Sequence, residues 1–495
     1  MSSNRPHLRA TLILACLAQF MVILDVSVVN VALPSIRHAL NFTEADLTWV
    51  VNAYTVTFAG FLLLGGRFAD LLGRRRVFVS GLVLFAAASL AGGFANSQAV
   101  LITARAIQGL GAAVIAPASL SILTTTFTET AARNRAVGIW GAMGGAGGAA
   151  GSLLGGILTQ GLNWRWILFI NVPIGLGAAL LTQRLVAEGR SESGTRNFDV
   201  SGALAATVGL SLLVLGIVRT DALGWGSAET LGLMGGGLAL LVAFVAIEGW
   251  FAKAPLMPLR IFASRTLSAA NLVVVLTGAA SFGMWFFLTL YLQQVLGYSP
   301  IKAGLTFLPM TVCIILGANI APRIVPRYGA RNLLAFGMLS QAAGLALFVR
   351  IAVGGGYLND VLAPSLLVAI GIGFAFVTGT ISAVAGVAPR EAGLASGLVN
   401  TSRMFGGALG LAILDALATS RTNSDLKHAQ VVNHDALIVS HHAQLVALAS
   451  GFELAFAVAA GFALVGGVVA LVGLPRVQAR VTARAAEAAP VEAGP

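Results

Sequence analysis

Apolar residues in this chain do not alternate with polar ones. They run on for about twenty positions at a time and are then cut by short charged or Gly/Pro segments, the length a helix needs to cross a hydrocarbon core. Fourteen runs are readable, at 10–33, 47–69, 77–95, 98–124, 135–160, 166–187, 200–218, 229–250, 267–296, 303–325, 332–352, 361–386, 392–418 and 446–474. The pattern predicts an all-α polytopic membrane protein. A weak internal repeat sets Ala106-Ile-Gln-Gly-Leu-Gly-Ala-Ala beside Ala369-Ile-Gly-Ile-Gly-Phe-Ala, pairing span four with span twelve. The offset of eight leaves two spans over from a pair of six-helix halves, and spans seven and eight lie between those halves. The expected domains are therefore a first six-helix bundle at 1–190, two extra helices at 191–262 and a second six-helix bundle at 263–475 with a long outer loop at 420–445. A disordered tail is expected at 476–495.

Composition agrees. The 495 residues are 57% hydrophobic and 10% charged, against roughly 25% charged in soluble domains, and the mean hydropathy is +0.88. The net charge of +11 does not point to nucleic acid, because the basic residues sit in short loops rather than on one soluble face. With the N-terminus inside, 21 Lys and Arg fall in cytoplasmic segments and seven in outer ones, an asymmetry that supports an even number of spans with both termini in the cytoplasm. Arg105 and Arg403 are left within the membrane. Cys16 and Cys313 both lie in apolar runs, so no disulfide, metal or other cofactor is expected. The four histidines at 428, 434, 441 and 442 show no ligand spacing and read as a solvated loop.

The first span carries an acid at its centre. An ionised Asp there costs on the order of 3 kcal/mol, so Asp25 must face a wet cavity or a partner. Asp25 lies about 15 residues into an outward-running helix and Arg105 about seven into an inward-running one, which brings both to the outer half of the membrane at 1.5 Å per residue. They are read as a proton-coupling pair, with an inert structural ion pair as the competing reading. A drug pocket is expected among Asn30, Asn52, Tyr54, Gln108, Trp140, Trp285, Tyr291 and Asn400. Arg403 is read equally as a cavity residue or a packed cation. Asp415 is read equally as a cavity acid or an interfacial acid facing water.

Several motifs carry a family resemblance. Gly66-Arg-Phe-Ala-Asp-Leu-Leu-Gly-Arg-Arg-Arg76 resembles the loop motif of the major facilitator superfamily, and Leu101-Ile-Thr-Ala-Arg-Ala-Ile-Gln-Gly109 its fourth-span motif. The stretch from Gly141 to Gly156, with Gly147, Gly151, Gly155 and Gly156, is similar to the fifth-span antiporter motif. Leu24 to Pro34, Trp164 to Pro173 and Pro255 to Phe262 narrow the resemblance to the fourteen-helix drug:proton antiporter branch. It implies a fold of two pseudo-symmetric six-helix bundles plus two linker helices. It also implies a cytoplasmic latch made by Gly66, Asp70, Gly73, Arg74 and Arg135, a proton role for Arg105 beside Asp25, and a flexing glycine-rich fifth span. Ser152 stands where the family pattern has proline, which puts the kink of that span in question.

The expectation is a monomeric exporter of lipophilic or cationic toxic compounds, driven by the proton gradient and embedded in the lipid bilayer. A proton-linked importer or lipid carrier on the same scaffold is the first rival. A membrane-embedded enzyme is the second, and nothing favours it: no His or Cys cluster and no nucleotide-binding loop lies in the spans.

Overall fold

The computed structural model describes residues 5–186, 188, 199–252, 255, 259–385, 392–432 and 441–475. Among them, fourteen helices of fifteen residues or more follow one another, with a single-turn helix α6 (Trp166–Phe169) ahead of the sixth. The first bundle holds α1 (Arg5–Leu40), α2 (Glu44–Leu72), α3 (Arg74–Gly93), α4 (Gln98–Thr126), α5 (Thr130–Gly161) and α7 (Asn171–Leu185). Two helices follow, α8 (Val200–Leu223) and α9 (Ala228–Ala246). The second bundle holds α10 (Arg265–Leu290), α11 (Pro300–Tyr328), α12 (Ala330–Phe348), α13 (Ala363–Val384), α14 (Ala392–Val432) and α15 (His441–Gly473). Nine stretches of the described residues are each long and apolar enough to cross a membrane.

Helix starts follow local chemistry. Thr43, Ser97, Asp199, Ser227, Ser264 and Ser299 each accept a hydrogen bond from the backbone N–H three residues on, which satisfies a donor the first turn otherwise leaves bare. Gly73 joins α2 to α3 with φ +106°, a backbone that side-chain-bearing residues rarely adopt.

The sequence pattern differs from the structure at one place. A polar loop is expected from 420, yet α14 continues to Val432 and α15 begins at His441. The extension is a charged helix, held in part by the i,i+4 pair of Arg421 and Asp425 at 3.3 Å. Of the four histidines assigned to that loop, His428 lies within α14, His441 and His442 open α15, and His434 is outside the described residues. The expected tail also lies outside them.

In the absence of a hydrophobic driving force between helices, membrane bundles associate through close packing of small residues. Here α5 lies along α1, so that a Cβ on Gly147, Gly151 or Gly155 would come within 2.9 Å of Phe20 O, 2.8 Å of Leu24 O and 3.0 Å of Val28 O respectively. Gly156 turns the other way, toward Pro300 and Ile301 of α11 in the second bundle. α5 runs through Ser152 as one helix, Thr130–Gly161. The Ser152 hydroxyl donates to Gly148 O at 3.0 Å and shares a 3.0 Å hydrogen bond with Ser27 of α1.

Polar contacts between the bundles lie at the end expected to face outside. Gln293 Nε2 donates to Val31 O at 2.8 Å, and the backbone N–H of Ile301 donates to Gln160 Oε1 at 3.3 Å. Nearer the opposite end of α5, a Cβ on Gly141 or Gly148 meets nothing within 4 Å. The bundles meet where α5 and α11 converge and again along α2 and α14. The pair α8 and α9 packs together, with α8 also touching α2 and α14.

Gly151→Leu is expected to destabilise the fold by about 1–3 kcal/mol through overpacking against Ser27 and Leu24. Gly148→Ala, with open space at its Cβ, is expected to be near neutral. Thermal unfolding of the two purified variants checks the contrast.

Candidate functional site

The two groups that sequence depth placed together do meet. Asp25 is fully buried, and its two oxygens accept three hydrogen bonds from two other helices of the first bundle. Oδ2 accepts from Arg105 Nη1 of α4 at 2.6 Å. Oδ1 accepts from Gln108 Nε2 of α4 and from Asn171 Nδ2 of α7, both at 2.8 Å. Ser89 of α3 ties the set from below: its hydroxyl accepts from Gln108 and Asn171 and donates to Leu168 O at 2.8 Å.

Arg105 is equally well answered. Besides Asp25 it donates from Nη1 to Gln108 Oε1 at 2.8 Å and from Nε to the Val50 carbonyl of α2 at 3.0 Å. Its guanidinium lies 4.4 Å above the Tyr54 ring, a cation–π contact in a desolvated place. A buried carboxylate and guanidinium are tolerated in low dielectric only with this degree of satisfaction, since each ion leaves water at a cost of several kcal/mol. What the arrangement can do chemically is accept a proton at Oδ2. That breaks one of Arg105's bonds and leaves the guanidinium held by Val50, Gln108 and the Tyr54 ring.

Asn171 and Ser89 were not singled out from the sequence. Asn171 had a signal, because it is the one amide in the otherwise apolar run Trp166 to Ile174, and it opens α7 where the chain breaks after α6. Ser89 had none, being one small hydroxyl in a row of alanines.

Other expected residues scatter. Asn52 is fully buried and neither of its side-chain polar atoms has a partner. Asn30 is half-buried. Trp140 donates to Ser119 of α4 at 3.0 Å. Trp285 packs on Phe307, with ring centroids 4.8 Å apart. Tyr291 is fully buried and donates to Ala352 O at 3.0 Å, which pins the end of α10. Asn400 and Arg403 are joined at 3.0 Å, and Asp415 is buried farther along α14.

The latch motif is described only in part. The side chain of Asp70 lies outside the described residues, Arg135 is exposed, and Gly66 makes ordinary contact with Pro117. Arg74 is half-buried. Arg75 and Arg76 each approach Glu188 at 3.5 Å, and Arg75 also donates to Val186 O at 3.3 Å. The basic cluster thus fastens the start of α3 to the segment after α7.

Asn171→Ala removes one of the two donors on Oδ1 and is expected to cost about 1–3 kcal/mol. Gln108→Ala should cost more, because it removes a donor to Asp25 and an acceptor of Arg105 together. Denaturation midpoints of the two purified variants give the order.

Residues 15–411 match the Major Facilitator Superfamily profile. The chain is 45% identical over 425 residues to the cephamycin export protein CmcT of Amycolatopsis lactamdurans, covering 86% of this chain and 87% of the relative. It is 39% identical over 464 residues to the puromycin resistance protein pur8 of Streptomyces alboniger, covering 93% and 90%. Among solved structures it resembles an auto-inhibited POT family peptide transporter, with TM-score 0.67, 15% identity and coverage of 94% of this chain and 96% of that one. It also resembles a bacterial homologue of the human lysosomal transporter Spinster, with TM-score 0.64, 16% identity and coverage of 96% and 99%. With the family profile spanning most of its length and the two-bundle architecture in place, the chain belongs to the Major Facilitator Superfamily and is a secondary transporter, not an enzyme.

Proposed function

We propose that this chain is a proton-coupled antiporter that exports lipophilic, antibiotic-like compounds across the bacterial inner membrane by alternating access, acting as a monomer with both termini in the cytoplasm. The observation that carries the reading is the buried Asp25 carboxylate, held by Arg105, Gln108 and Asn171 within an apolar helix. The similarity to export and resistance proteins over more than four-fifths of the chain supports the direction of transport.

In this reading the structure is an inward-facing state after proton release. The bundles are joined at the outer end through Gln293 and Gln160, and Asp25 is ion-paired and shut off from solvent. Opening outward exposes the carboxyl to the outer medium, where a proton on Oδ2 displaces Arg105. Arg105 remains bonded to the Val50 carbonyl, so its movement is passed to α2. The contact of α2 with α14 then carries it to the second bundle. Return to the inward state releases the proton and re-forms the pair. Exchange of one proton for a neutral compound draws on the pH gradient, about 1.4 kcal/mol per unit, and on the potential, about 2.3 kcal/mol per 100 mV.

Asp25→Asn is expected to abolish efflux driven by an imposed pH gradient in proteoliposomes while the purified protein stays monodisperse. Undiminished gradient-driven transport in that variant would rule out Asp25 as the proton carrier.

A further inference from the structure

The two arginines within the spans are held in opposite ways. Arg105 has a carboxylate, an amide oxygen, a backbone carbonyl and an aromatic face. Arg403 of α14 has much less. Its Nη2 donates to Asn400 Oδ1 at 3.0 Å and its guanidinium lies 4.8 Å above the Phe376 ring of α13. Its Nε is buried with no hydrogen-bond partner, and among the described residues no carboxylate reaches it. Asp25 is committed to Arg105, and Asp415 lies about 18 Å farther along the helix at 1.5 Å per residue.

A second unanswered group lies on the neighbouring helix. The Tyr54 hydroxyl of α2 is buried without a partner on a residue 1% exposed, and α2 packs on α14, the helix of Arg403. Tyr54, Met404 and Ala408 share one apolar cluster, with Phe405 packed against it. The Arg403 side chain is half-buried, so it is not sealed within protein as Arg105 is. A guanidinium carries five N–H donors in a planar fork that fits a carboxylate edge-on. An unpaired cation and a free hydroxyl set in apolar walls are the complement of a lipophilic acid. A cationic guest would meet repulsion at the same place.

We propose that Arg403, assisted by the Tyr54 hydroxyl, anchors the carboxylate of a lipophilic monoanionic substrate. This deepens the exporter reading and rests on it, and it favours an anionic guest where the sequence left a lipophilic or cationic one. Charge balance has a consequence: one proton entering against one monoanion leaving moves two positive charges inward, so export responds to the membrane potential as well as to pH. Tyr54 links the two sites, since its ring carries Arg105 and its hydroxyl faces the anion.

The test uses three matched probes, naphthylacetate, naphthylacetamide and naphthylethylamine, and reads their binding to the purified full chain by titration calorimetry. The wild type is expected to bind the acid about tenfold or more tighter than the amide, with the amine weakest. Arg403→Gln should erase that preference, Arg403→Lys should keep part of it, and Arg403→Glu should turn it toward the amine. Equal binding of acid and amide by the wild type, no binding of any probe, or a preference that survives Arg403→Gln overturns the proposal. Should Arg403→Gln not fold, Tyr54→Phe decides: a reduced preference supports the anion site and an unchanged one overturns it. Accumulation of the same probes in energised inverted vesicles separates the two readings. Amide or amine uptake that ignores Arg403 overturns the anion site and leaves the exporter. Arg403-dependent binding of the acid without gradient-driven uptake leaves the anion site and overturns the exporter.

Discussion

An ionised carboxylate in the middle of an apolar helix is the constraint around which the first bundle is arranged. Asp25 cannot be hydrated where it lies, so its charge must be answered by protein, and α4 and α7 each contribute a donor to it. That requirement sets the register of these helices against α1. A register slip of one residue turns a helix by about 100° as well as moving it 1.5 Å, which would point Arg105, Gln108 or Asn171 away from the carboxylate. Ser89 adds α3 to the same lock, through both amides and the Leu168 carbonyl. The polar centre therefore specifies the packing as much as the apolar surfaces do, because wrong registers leave unsatisfied groups in hydrocarbon.

Around this centre the helices approach closely wherever small residues permit. The face of α5 that carries Gly147, Gly151 and Gly155 lies against backbone carbonyls of α1, and Gly156 does the same against α11. One helix thus packs through glycines within its own bundle and, at Gly156, on the second. The contact at Gly156 has little to repack when the bundles rock, whereas the lock inside the first bundle has much to lose. The physical division is between a bundle that moves as a unit and an interface that can change.

The long apolar runs made the helices legible, and the shared depth of Asp25 and Arg105 made the ion pair legible, since both follow from 1.5 Å per residue and the price of burying charge. Elsewhere the same logic had less to hold. The end of α14 was read as a loop because hydropathy cannot distinguish a charged helix from a coil, and the pairing of Arg421 with Asp425 is seen only in three dimensions. Asn171 was quoted within a motif and Ser89 not at all, because a single polar residue in a span gives no sign of which neighbour it faces. Ser152 suggested a lost kink, but its hydroxyl is used twice within α1 and α5. For Trp140, Trp285 and Tyr291 the sequence showed aromatic side chains without direction; the first two make contacts between helices and Tyr291 holds the loop after α12.

The path from the polar centre to the second bundle runs through α2, and the packing makes it stiff. Arg105 donates to the backbone of Val50, Thr57 Oγ1 donates to Ala106 O at 2.9 Å, and Gly109 lies so close to Tyr54 and Thr57 that no Cβ fits between them. These three ties bind α2 to α4 over about two turns of α2, so neither helix can shift alone. A change at Asp25 that moves Arg105 must therefore move α2 as a body, and α2 is the helix that carries Tyr54 and packs on α14. Each tie ends on backbone, at Val50 O, Ala106 O and Tyr54 O, so a displacement is delivered to the helix itself, and in the proposed cycle this gives the charge state of Asp25 an outlet at the boundary between the bundles.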